Sequence, residues 1–142
     1  MRDKASRKGR ALGVVLIVLG VIVAVLLGAL AVTEPERREG RNLPIGVVDF
    51  AATPNGTYLG KYDGGMWKMR ANEVRVTVSA GKVTDIDVVK SANKPVPEIT
   101  GPLFDRVRKA QSLQVDTISG ATITSKSFLK SVENALETTS GS

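Results

Sequence analysis

The 142-residue chain contains no cysteine and no histidine. The first absence excludes disulfides, iron–sulfur ligation, a thiol nucleophile and an acylated lipoprotein cysteine. The second removes every triad built on an imidazole base, and the two together leave zinc, copper and haem without their usual ligands. The expectation is therefore no metal site and no catalytic residue of the common hydrolytic kinds. Any redox chemistry would have to sit on an organic cofactor. Aromatics are sparse as well, at three Phe, two Tyr and one Trp. No block of Lys and Arg interleaved with aromatics marks a surface for nucleic acid.

The formal charge of +6 is unevenly spread. Arg2, Lys4, Arg7, Lys8 and Arg10 stand against Asp3 in the first ten residues, a local net of +4 that leaves +2 for the rest of the chain. Residues 1–10 are thus a basic tail. From Ala11 to Thr33 there is no charge, and Leu12 to Val32 is almost wholly Val, Leu, Ile, Ala and Gly. About 20 such residues, at a rise of about 1.5 Å each, cross the hydrocarbon core of a bilayer. A secretory leader's apolar region is shorter, about 7–15 residues. Residues 11–33 are therefore expected to be a retained transmembrane helix, although Ala29-Leu30-Ala31 has the small-residue form of a cleavage site. The basic tail and the sign-balanced Glu34, Glu36, Arg37, Arg38, Glu39 and Arg41 beyond the helix predict a cell-membrane protein with its N-terminus cytoplasmic and its domain outside.

Residues 34–54 read as a linker, with Ile45, Val47, Val48 and Phe50 forming either a short strand or a surface connection. The folded domain occupies 55–137 and a tail 138–142. Within it Thr57 to Tyr62 alternates as a strand. Val74, Val76 and Val78, then Ile86 and Val88, alternate with polar residues about Ala80-Gly81, the pattern of an antiparallel hairpin with one buried face. That alternation puts Asp85 and Asp87 on the solvent side rather than in a catalytic pair. Ser91 to Gly101 reads as a loop. Thr100 can cap a helix that has Pro102 in its first turn and a stripe of Leu103, Phe104, Val107 and Ala110. Phe128, Leu129, Val132, Ala135 and Leu136 give a second amphipathic helix. The predicted class is α+β, a small antiparallel sheet with two helices packed on it, preceded by one N-terminal transmembrane helix.

Between those helices lies Asp116-Thr117-Ile118-Ser119-Gly120-Ala121-Thr122-Ile123-Thr124-Ser125. Gly120 and Ala121 clear side-chain bulk from a turn. Thr122, Thr124 and Ser125 place hydroxyls at a helix start, where free N–H groups favour a phosphate and where hydroxyls also serve as ordinary caps. Lys126 in that first turn is poorly placed for a cation unless an anion is near. Tyr58, Tyr62 and Trp67 could wall a flat ligand or simply pack.

Asp116 with Ser119-Gly120-Ala121-Thr122 resembles the flavinylation motif Asp-x-x-Ser/Thr-Gly-Ala-Thr of the FMN-binding domain family. That family includes the covalent-flavin subunits of sodium-pumping NADH:quinone reductase and of the related ferredoxin-oxidising complex. Asn55-Gly56-Thr57-Tyr58-Leu59-Gly60 is similar to its opening strand, and Val74 to Lys90 to its central hairpin. The resemblance implies FMN held as a phosphoester on Thr122, placed there by a separate Mg-dependent FMN transferase that reads Asp116, Ser119, Gly120 and Ala121. Flavin also needs no side-chain metal ligand, which suits a chain without cysteine or histidine. Cofactor contacts are expected at Thr122, Ser119, Gly120, Ala121, Asp116, Thr124, Tyr58 and Trp67. The implied role is an extracytoplasmic, membrane-tethered electron carrier between a membrane donor and an extracytoplasmic acceptor, more a carrier than an enzyme with its own substrate. The alternative is a noncovalent flavin or protein-interaction module.

Overall fold

The computed structural model of the chain describes residues 2–65, 68–94 and 96–139. Two compact units meet at the Pro35–Glu36 bond, Met1–Pro35 and Glu36–Ser142. Helix α1 runs Arg2–Arg41. Its stretch Lys8–Val32 is long and apolar enough to cross a bilayer, and Leu12, Ile17, Val25 and Leu30 are all exposed, as residues facing lipid would be. The helix is longer than expected at both ends, because the basic tail and residues 34–41 of the expected linker are helical. Glu and Arg are good helix formers, and Glu34 stands four residues before Arg38 on one face. They carry the helix through Pro35, although an interior proline forfeits one hydrogen bond.

In the second unit, strands β1 (Gly56–Tyr62), β2 (Asn72–Ser79) and β3 (Lys82–Ser91) form one antiparallel sheet in that order. Helices α2 (Pro97–Ala110) and α3 (Thr122–Glu137) complete an α+β fold. Ala80 and Gly81 have φ of 53° and 71°, the doubly left-handed turn that suits a two-residue hairpin. Val74, Val76, Val78, Val83 and Ile86 turn one sheet face inward, against Leu103, Phe104 and Val107 of α2 and Phe128, Leu129, Val132, Ala135 and Leu136 of α3. Asp85 and Asp87 lie on the outer face, as their alternation predicts. Helix α3 covers β1 and β2, and α2 covers β3. The close approach of α3 to β1 depends on Gly60, where a Cβ would collide with the Ser131 carbonyl oxygen and come within 2.5 Å of Ala135 N.

Residues 43–49 are a connection rather than a strand, ending in a 3-10 turn, Phe50–Ala52, whose Phe50 enters the core. The expected cap at Thr100 is also corrected. Helix α2 starts a turn earlier, with Pro97 in its first turn, where the missing N–H costs nothing, and Glu98 at the positive end of the dipole. Thr100 is buried inside the helix, its hydroxyl donating back to Val96 O at 3.4 Å. Ala110, assigned to the apolar stripe, is exposed at the helix end.

Candidate functional site

The turn before α3 is tied by its own backbone. Ala121 N–H donates to Ile118 O at 2.9 Å, and Gly120 sits between them at φ 75°, a left-handed position that suits glycine. A Cβ at Gly120 would meet nothing within 4 Å. Glycine is required here by conformation, and the space beside it is open. Arg106 of α2 holds the approach to the turn through Asp116 O and Thr117 O, at 2.8 and 3.0 Å.

Ala121 is the residue capping α3, and no side chain caps that end. Thr122 is the first helical residue, exposed, and its hydroxyl makes no hydrogen bond with another described residue. The ordinary cap role open to these hydroxyls is therefore not taken by Thr122. Ser125, by contrast, is fully buried and accepts at Oγ from Ile118 N–H, 3.1 Å away. Its hydroxyl holds the turn and is not available to a ligand.

A groove of about 290 Å³ opens on Thr122, lined by Gly120, Ala121, Ile123, Thr124, Arg41 and Arg70. The two arginines were not anticipated from sequence, since both lie far from the motif along the chain. Arg41 arrives at the end of α1, where Gly40 packs so closely on Ile123 that a Cβ would collide with its Cγ2. Arg70 is placed by the end of the β1–β2 connection. Asn72 Nδ2 donates to Arg70 O at 3.0 Å, and the buried Ser131 Oγ of α3 bonds Asn72 Oδ1. An unshared hydroxyl, an uncapped helix start and two guanidinium groups are a donor set that fits the phosphate end of FMN.

The remaining expected residues divide. Gly120, Ala121 and Thr124 line the Thr122 groove, and Ser119 is exposed on the same turn. Asp116 faces a different cavity, of about 430 Å³, with Asn42, Leu113 and Lys126. Tyr58 is not brought to the groove. It pairs with Val76, four positions along β1 from the Tyr62–Asn72 end, and its hydroxyl donates to Pro54 O at 2.6 Å. Trp67 lies outside the described residues. Lys126 has a protein partner that accounts for its charge in the first turn of α3: its ammonium donates to Arg41 O at 2.5 Å, at the negative end of α1. It therefore gives no support of its own to an anion at Thr122. Among the described residues no cluster of acidic side chains could hold a metal ion.

Residues 65–137, just over half of the chain, match the FMN-binding domain family. A stretch of 72 residues is 36% identical to the NADH:acrylate oxidoreductase of Vibrio harveyi, covering 48% of this chain and 7% of that protein. The chain thus spans a small fraction of that relative's length.

Proposed function

The chain belongs to the FMN-binding domain family, and from that premise we propose that it carries FMN as a phosphoester on Thr122 and serves as a membrane-anchored electron carrier outside the cytoplasm. The observation that carries the proposal is the state of Thr122, exposed, unshared and facing a groove with Arg41 and Arg70. When bound, the flavin supplies the storage and release of electrons. Thr122 Oγ takes the FMN phosphoryl group from an activated donor, a flavin dinucleotide. One phosphoanhydride bond breaks, a nucleoside monophosphate leaves, the phosphoester forms, and the hydroxyl proton passes to a base of the FMN transferase. Arg41 and Arg70, which line the groove, would hold the phosphate and offset the negative charge left on the ester.

The helix Lys8–Val32 would tether the carrier, and the basic residues ahead of it favour a cytoplasmic N-terminus with the domain outside. A covalent link suits that side, where a dissociating flavin is lost to the surroundings. The similarity to an NADH:acrylate oxidoreductase is in keeping with electron transfer. The partners would be the transferase, a membrane electron donor and an extracytoplasmic acceptor. The test is coexpression of the full chain with an FMN transferase. The expected result is an intact mass raised by one FMN less water and flavin fluorescence on the band in a denaturing gel, both lost in Thr122→Ala. An unmodified mass defeats the proposal, and yellow colour that disappears on denaturation would point to the noncovalent module instead.

A further inference from the structure

We infer that the isoalloxazine ring carried at Thr122 lies in the groove between the β3–α2 connection and the start of α3, with Lys94 as its charged rim. This rests on the phosphoester reading above. A second groove, of about 210 Å³, shares Arg70 and Thr124 with the one at Thr122 and extends from it to Lys94, Val96, Ile99 and Phe128. The larger cavity at Asp116 shares no lining residue with the Thr122 groove. Of these two cavities, only the second groove is continuous through described residues with the one at Thr122, and it gives a ligand fixed there a path away from its phosphate.

The chemistry of that path matches an amphipathic ring. Its floor is Phe128, 4% exposed and held edge-on against Phe104 with ring centroids 6.0 Å apart. Its outer wall is Val96, a large apolar side chain left 41% exposed at the start of α2. The two amides in the groove are committed to structure, Asn93 Nδ2 to Met69 O at 2.8 Å and Asn72 to Arg70 O and Ser131. Beside the hydroxyls of Ser91 and Thr124, the charged groups of the groove are the Lys94 ammonium and the Arg70 guanidinium, neither of which is ion-paired with another described residue. A reduced flavin gathers negative charge at its pyrimidine edge, so a cation at the rim favours the reduced form and raises the midpoint potential.

The experiment uses the full flavinylated chain and compares wild type, Val96→Trp, Lys94→Glu and, as a control more than a Debye length away at the far end of α2, Lys109→Glu. Iodide should quench wild-type flavin less than the same adduct unfolded in urea. Val96→Trp should raise quenching to the unfolded level and flatten the visible circular dichroism, with fluorescence still on the gel band. Lys94→Glu should move the midpoint potential to a more negative value, and Lys109→Glu should not. Wild-type quenching and dichroism in Val96→Trp overturn the inference. So does a Lys94→Glu potential equal to that of Lys109→Glu, a comparison that stands even if Val96→Trp fails to fold. A wild-type chain with no flavin on its band instead removes the Thr122 reading beneath it.

Discussion

The Oγ of Ser125 accepts a hydrogen bond from the backbone N–H of Ile118, 3.1 Å away and seven residues back. Ser125 N–H in turn donates to Ala121 O at 2.8 Å, and Ala121 N–H to Ile118 O at 2.9 Å. These bonds close the chain from Ile118 to Ser125 on itself. The turn keeps its shape without help from the Thr122 side chain, which is left outside the ring of bonds.

Ser125→Ala should therefore damage the site without touching Thr122. It leaves the half-buried Ile118 N–H without its acceptor, at a cost of about 1–2 kcal/mol. The expected outcome is a lower urea midpoint together with a several-fold slower gain of FMN mass during incubation with transferase. Thr124→Ala, which removes a hydroxyl with no role in that ring, should keep its urea midpoint closer to wild type.

Gly120 tests conformation separately from crowding. Its φ of 75° costs a residue with a Cβ about 1–2 kcal/mol, yet a Cβ there meets nothing within 4 Å. Gly120→Ala should be destabilised by about that amount in urea titration, and Gly120→Asn by less, since asparagine tolerates the left-handed region better. If clash rather than backbone governed the site, the larger asparagine would be the worse of the two.

What could be read along the chain was what repeats or sits together in it. The alternation of Val74, Val76 and Val78 and the stripe through Phe128, Val132 and Leu136 are local patterns, and they gave the sheet and α3 directly. The motif from Asp116 to Thr122 is contiguous, so it was visible too. Arg41, Arg70 and Lys94 were not, because each reaches the grooves only after the sheet and α3 have packed. Lys126 looked like an anion ligand because its partner, the Arg41 carbonyl, lies 85 residues away. Residues 34–41 looked like a linker because Pro35 outweighed the helix-forming Glu and Arg around it. Tyr58 was chosen for its ring, whereas its position on β1 and its bond to Pro54 O set its place.

Lys130 and Glu133 form an ion pair at 3.1 Å with Glu133 3% exposed and the Lys130 side chain 25% exposed. Lys130→Met strands a buried carboxylate and should cost about 3 kcal/mol, as breaking a buried pair does. Adding Glu133→Gln removes the stranded charge and should recover much of the loss. Urea titrations of the two variants check the sign of that recovery, which additive, independent contributions would not produce.

Gly60→Ala should be the most damaging single methyl in the domain. The added carbon would collide with the Ser131 carbonyl and lie within 2.7 Å of both Ala135 N and Ala135 Cβ, so α3 has to move off β1 as a body. That shift would pull Ser131 from Asn72 and Asn134 Nδ2 from Lys61 O, now 2.6 Å apart. Because Asn72 anchors the Arg70 backbone, the loss reaches the Thr122 groove. Overpacking of this kind costs about 3 kcal/mol. The expected result is a sharply lowered thermal midpoint and little FMN adduct, while Gly101→Ala, whose Cβ meets nothing within 4 Å, should stay within about 1 kcal/mol of wild type or gain stability through its better helix propensity.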